Sequence, residues 1–170
     1  MAPPPLAGDY LVASDVGDIA ADSSTKPVGR VIQSATQNLT DNTYVAITFT
    51  AAVDSIDTDN AHDPTTNPSR ITPPKPGFYR FTGTVWYNTA TTAVRTSVQF
   101  RKNGSANLPP AVEDWFNGLR HGGPQVSMIT DMNGTDYVEL MALQDSSATI
   151  TTYASGAAAS VLEWEFLRDL

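Results

Sequence analysis

The chain has 170 residues, a formal net charge of −8 and no cysteine. That length holds one domain with its own core and little besides, the missing thiols exclude a disulfide framework and a cysteine metal site, and the negative charge opposes any phosphate backbone, which argues against nucleic acid as a partner. No apolar run is long enough to span a bilayer, so membrane insertion is not expected either.

The opening segment differs from the rest. Residues 1–26 hold Pro3-Pro4-Pro5, the aspartates Asp9, Asp15, Asp18 and Asp22, and no base before Lys26. Apolar Leu6, Tyr10, Leu11, Val12, Val16 and Ile19 are spread among them, and Ser14-Asp15 suits the cap of one short helical turn. A disordered acidic tail has this composition; so does an arm that docks on a partner, and docking gives the six apolar side chains somewhere to go. Residues 1–27 are therefore expected to form a docking arm. Prolines follow Met1 where a signal peptide would place a basic region and an apolar run, so the chain is expected to be made in a cytoplasm and carried out only by lysis or an assembled particle.

From Val28 onward the pattern predicts strand after strand. Residues 29–39 form the first, led by Val31 and Ile32, and the stretch 38–43 is a turn rich in Asn, Asp and Thr. Residues 44–50 alternate, with Val45, Ile47 and Phe49 on one face. Residues 54–77 are expected to be a long loop. Residues 78–87 carry the strongest strand pattern: Tyr79, Phe81, Val85 and Tyr87 share a face, and Gly83 leaves room for close packing. Residues 94–102 set Val94, Val98 and Phe100 against Arg95, Gln99 and Arg101, and Asn103-Gly104 makes a tight hairpin turn. Residues 126–130 and 136–143 flank a second hairpin sequence, Met132-Asn133-Gly134-Thr135. Residues 149–153 and 160–167 complete the set, the last with Leu162, Trp164 and Phe166 alternating with Glu163 and Glu165. No helical period competes, so residues 28–170 are expected to form an all-β sandwich or jelly roll.

Chemistry-bearing residues are sparse. The histidines are His62 and His121, and the second sits in the flexible run Arg120-His121-Gly122-Gly123-Pro124, so no nucleophile, base and orienter converge and catalysis is not expected. Glu113-Asp114 and the pair Glu163/Glu165 lack the groove a glycosidase needs; the latter two fit the solvent face of a strand. Asp57, Asp59 and Asp63, with Asn60, offer hard oxygens at a spacing a calcium loop uses, but Ala61 and His62 break that pattern. The same residues equally suit a network of Asx turns. Calcium is the one cofactor this pattern admits. Asn103-Gly104-Ser105 and Asn133-Gly134-Thr135 are hairpin turns before they are glycosylation acceptors. Trp115-Phe116, expected in a long loop between strands, would stack on a sugar, insert into a partner, or plug one end of the sandwich. Trp86 and Trp164 alternate with strand neighbours and are expected in the core or in an interface.

Several motifs in order resemble the C1q/TNF-like domains. Pro76-Gly77-Phe78-Tyr79-Arg80-Phe81 is similar to that family's Gly-x-Tyr-x-Phe strand. Val98-Gln99-Phe100-Arg101-Lys102-Asn103-Gly104 is similar to its next strand, and Asp131 to Leu140 resembles its Leu-x-x-Gly-Asp-x-Val-x-Leu hairpin with Thr135 inserted. Tyr153-Ala154-Ser155-Gly156 faintly echoes the closing Ser-x-Phe-x-Gly, and Asp57 to Asp63 followed by Asn67-Pro68-Ser69-Arg70 looks like the long loop of bacterial and phage-borne members. The resemblance spans about Arg30 to Leu167 and lacks the collagen-like stalk of the animal proteins. It implies a jelly roll that works as a homotrimer, one broad sheet face of each protomer being covered by a neighbour. Large groups on both faces of some strands fit such covering: Phe78 and Trp86 against Tyr79, Phe81 and Tyr87, and Val138 and Leu140 against Tyr137, Met141 and Leu143.

The opening Leu6 to Val16 resembles the starts of small structural proteins in tailed phages of actinobacteria. Together the two resemblances imply a non-enzymatic virion structural protein: a tail, baseplate or fibre component or a capsid decoration protein, anchored to other virion proteins by its arm, projecting as a trimer, and able to meet a host-surface ligand. A bacterial glycan- or protein-binding module acting through its apical loops is the alternative.

Overall fold

The computed structural model describes residues 26–50, 54–88, 93–117, 121–155 and 158–170, so the proposed arm contacts Leu6, Tyr10, Leu11, Val12, Val16 and Ile19 lie outside the described residues. The strands are, in chain order, β1 (Val28–Ile32), β2 (Asn38–Leu39), β3 (Val45–Ala46), β4 (Asp54–Asp57), β5 (Arg70–Ile71), β6 (Gly77–Thr84), β7 (Tyr87–Asn88), β8 (Ala93–Lys102), β9 (Ala106–Asn117), β10 (His121–Gly122), β11 (Gln125–Met132), β12 (Val138–Gln144), β13 (Ile150–Thr152), β14 (Ala154–Ser155), β15 (Ala158–Ala159) and β16 (Val161–Arg168). One layer of the jelly roll is the sheet β11-β6-β16-β1-β4, the other is β3-β12-β8-β9 with β5 also on β12, and a small sheet β10-β7-β13-β2 closes one end. All the strand pairs are antiparallel.

The core follows the alternation. Tyr79, Phe81, Val85 and Tyr87 are fully buried, as are Val94, Val98 and Phe100, and Leu162, Trp164 and Phe166 turn inward from β16. The layers meet where Phe81 packs on Phe100, 6.1 Å between ring centroids. They also meet at Gly83, where an added Cβ would lie 2.6 Å from a Leu140 methyl and 3.1 Å from the Phe100 ring. Asn103 and Gly104 take positive φ in the predicted hairpin turn, and the Asn103 side chain donates to Asp136 and accepts from the Tyr137 amide, clasping that turn to the 133–137 turn.

Several expectations need correction. Residues 103–125 are not a long loop: Ala106–Asn117 is a twelve-residue strand against β8. Pro109-Pro110 conceals it, because prolines forfeit ladder donors, yet β9 is an edge strand and an edge tolerates them. The stretch 54–77 is not all loop, since it contains β4 and β5. Strands 29–39 and 78–87 each break and change sheet, β1 to β2 and β6 to β7. In the stretch 44–50 only Val45–Ala46 joins a ladder; the Gln37 side-chain amide takes a strand's place there, accepting from the Thr48 amide at 2.9 Å and donating to the Ala46 carbonyl at 2.8 Å. Finally, β12 is buried on both faces within one protomer, so its double-sided apolarity does not report a neighbour. Val138, Leu140 and Ala142 face the core, while Glu139, Met141 and Leu143 on the other side are also buried.

Candidate functional site

The sandwich has two poles. At one, Pro27 accepts from the Phe166 amide, Phe78 pairs with Arg168, and the turns at 103–105 and 133–137 gather. At the other, Ile32 pairs with Val161, Gln125 with Thr84 and Ala93 with Asn117. The N-terminal segment therefore enters beside the C-terminus, and Trp115, opposite Arg95, stands near the far pole.

The outward face of the β11-β6-β16-β1-β4 sheet carries charge in the middle and apolar groups at its flanks. Register places Val28, Glu165, Arg80 and Ile129 in one row across it, and Ile56, Arg30, Glu163, Thr82 and Ser127 in the next. Arg80 bonds Glu165 at 2.6 Å and Arg30 lies 3.5 Å from Glu163. Val28, Ile56 and Ile129 are 37%, 49% and 57% exposed, and a hollow of about 390 Å³ opens between Ile56, Arg80 and the two glutamates. What this sheet offers a covering neighbour is therefore an ion-pair ladder with apolar margins. The two glutamates were legible as outward-facing; their arginine partners on β1 and β6 were not, because the pairs join residues far apart in sequence.

The loop 57–63 does not assemble a cation site. Asp57 accepts the amides of Ala61 and His62 with its two oxygens, at 2.9 and 3.1 Å. Asp63 accepts the Thr65 amide and hydroxyl and the Thr66 amide, and these bonds hold its carboxyl well below the usual range. Asp59 turns away: both its oxygens are buried without a hydrogen bond, facing an indole N–H of Trp164 that does not reach bonding geometry. Burial, then the charge of Asp57, pushes the Asp59 carboxyl up. Among the described residues no three acidic or histidine side chains converge to hold a metal ion, so this donor set does not fit calcium. Asx turns are what Asp57 and Asp63 build, and the neighbouring Thr58 ties the loop to Val28, its hydroxyl accepting from the Val28 amide at 3.0 Å. His62 is buried edge-on against Phe49, 6.3 Å between ring centroids, with Nε2 3.3 Å from the Pro68 carbonyl.

Trp115 is 68% exposed. It sits on β9, not in a loop, and of Phe116 only the strand position is described. The cross-strand Arg95 is fixed by Asp145, which accepts its backbone amide at 2.9 Å and its Nε at 3.0 Å, and it lies 3.4 Å from Glu113. Trp164 is core, with its ring against the backbone of Gly29, and Trp86 is half-buried.

No protein-family model matches the sequence, and no curated protein matches it. Solved structures do. The globular domain of zebrafish complement 1qA superposes with a TM-score of 0.60 at 11% identity, covering 85% of this chain and 99% of that one. Murine APRIL at pH 8.0 gives 0.58 at 9% identity, covering 84% and 100%. Eiger TNF from S. frugiperda gives 0.56 at 7% identity, covering 85% and 94%. At these identities the likeness is one of fold: the chain has the C1q/TNF-like jelly-roll fold.

Proposed function

We propose that the chain is a non-enzymatic structural protein of a phage particle, a tail, baseplate or fibre component or a capsid decoration protein, that attaches through residues 1–27 and projects as a homotrimer. The observation that carries this reading is polarity. The N-terminal segment enters at one pole, beside Phe166 and Arg168, while the exposed Trp115 stands near the other. An arm at one end and a contact at the opposite end is the layout an anchored, projecting domain needs. The outward sheet face supports the trimer: its rows of Arg and Glu offer both charges to a second copy, and Val28, Ile56 and Ile129 offer apolar margins. The apolar arm residues are too few to fold alone, the triple proline lowers the entropy lost on docking, and the aspartates keep the arm soluble until it meets a complementary surface.

Deleting residues 1–26 is expected to abolish incorporation of the chain into particles, measured by the protein content of purified virions. Normal incorporation of the truncated chain would overturn the anchor. The exposure of Trp115 also favours a second reading, a free-standing module that binds glycan or protein, and under it the truncation leaves ligand binding intact.

A further inference from the structure

We propose that Trp115 and the charged groups around it form a binding site for a neutral sugar ring. The proposal is independent of the anchor reading, since particle incorporation tests that and sugar binding tests this.

The indole is held on a rigid base. Trp115 pairs with Arg95 across β8 and β9, and its amide donates to the Asp114 carboxylate at 2.8 Å. Strand alternation sets Glu113 on the same face as Trp115, where its side chain is 51% exposed. Arg95 is clamped by both oxygens of Asp145 and leans on Glu113, so its fork points in a fixed direction. The exposed indole thus shares its face of the sheet with the Arg95 guanidinium and the Glu113 carboxylate, and Arg95 brings the Asp145 carboxylate alongside.

A pyranose presents a patch of C–H groups on one face and hydroxyls around its rim. The indole matches the patch, carboxylates accept from hydroxyls, and the guanidinium donates to oxygens. Two carboxylates, Glu113 and Asp145, against one guanidinium leave the surround acidic, which repels sialates, sulfates and phosphates and selects a neutral sugar. A protein hot spot looks different: it needs roughly 800 Å² of contact on each partner and a rim that excludes water. Among the described residues the other exposed large apolar side chains, Val28, Ile56, Ile129 and Leu170, are on the opposite sheet face or at the C-terminus, so this indole stands apart from them and suits one stacked ring. Its face is not the one proposed for self-association, so the site stays open in the assembly.

Saturation-transfer NMR on the full-length protein with the methyl glycosides of glucose, galactose, mannose and N-acetylglucosamine, and with sialyllactose as the anionic comparator, tests the site. At least one neutral glycoside is expected to receive saturation, most strongly at the C–H protons of one ring face. Trp115→Ala is expected to weaken that binding about tenfold or more, and Trp115→Phe to retain most of it; a melting curve like the wild type's checks that both fold. Three results would overturn the proposal: no transfer to any neutral glycoside, equal affinity in Trp115→Ala, or sialyllactose binding as tightly as the neutral sugars. Loss of a protein contact in Trp115→Ala without any glycoside binding would make the indole a protein contact instead.

Discussion

Asp59 is the residue whose burial costs the fold most visibly. Both carboxylate oxygens are shut from solvent without a partner, and burial, with the charge of Asp57 behind it, raises its pKa. A carboxyl with a raised folded pKa destabilises the native state once ionised, so stability is lost as pH rises from the unfolded value near 4 through the folded one. Asp59→Asn keeps a polar group there but removes the charge, whose burial is the costlier part, and is expected to stabilise the protein at pH 7 by about 1 kcal/mol. Thermal melts of both proteins from pH 4 to 8 check it: the gap should close toward pH 4, and a gap constant with pH would show that the charge is not its source. The Trp164 ring facing Asp59 lies flat against the Gly29 backbone, where an added Cβ would stand 1.8 Å from it. Neither relation is visible locally, because β1 and β16 are separated by most of the chain.

At the scale of elements, β12 is held by more than its ladder. Arg101 on β8 donates twice to one Glu139 oxygen, at 3.1 and 2.9 Å, and Ser69 donates to the other at 2.9 Å. Arg70, which stacks over the Tyr137 ring at 4.0 Å, lies 3.9 Å from the same carboxylate. Glu139 therefore fastens the segment leading into β5 to two strands of the second layer. Glu139→Gln is expected to cost about 2–3 kcal/mol, less than orphaning a fully buried charge because the Arg101 side chain keeps 29% of its surface in solvent. A urea midpoint unchanged by the substitution would reduce the network to a surface pair. Sequence alternation found the strands here but not this fastening. It also missed β9, whose Pro109-Pro110 reads as loop until an edge position makes a proline harmless.

For the whole molecule, the outward face of the β11-β6-β16-β1-β4 sheet makes a testable demand. Light scattering at micromolar concentration is expected to give three times the 18.2 kDa of the chain. Ile129→Asp combined with Arg80→Glu, which breaks both the apolar margin and the ladder, is expected to shift the mass to one chain without loss of strand content by circular dichroism. Both side chains lie on the surface of the protomer, so the folded monomer should survive. A wild-type monomer would remove the trimer from the functional reading and leave the fold untouched.

In the sequence by itself, period-two alternation and turn residues that tolerate positive φ were enough for the all-β class, the inward faces of β6, β8 and β16, and the Asn103-Gly104 hairpin; Asn133-Gly134 was expected to close a hairpin as well, but it carries the chain from β11 in one sheet to β12 in the other. Motif order led further, to the C1q/TNF-like jelly roll. Tertiary structure alone decided how Asp57, Asp59 and Asp63 divide, two capping turns and the third facing an indole. It alone set Arg30 and Arg80 beside Glu163 and Glu165, and placed Arg95, held by Asp145, across from Trp115. The physical reason is range. Alternation and turns act between chain neighbours, whereas a side chain's partner and its burial depend on which distant strand the register sets beside it.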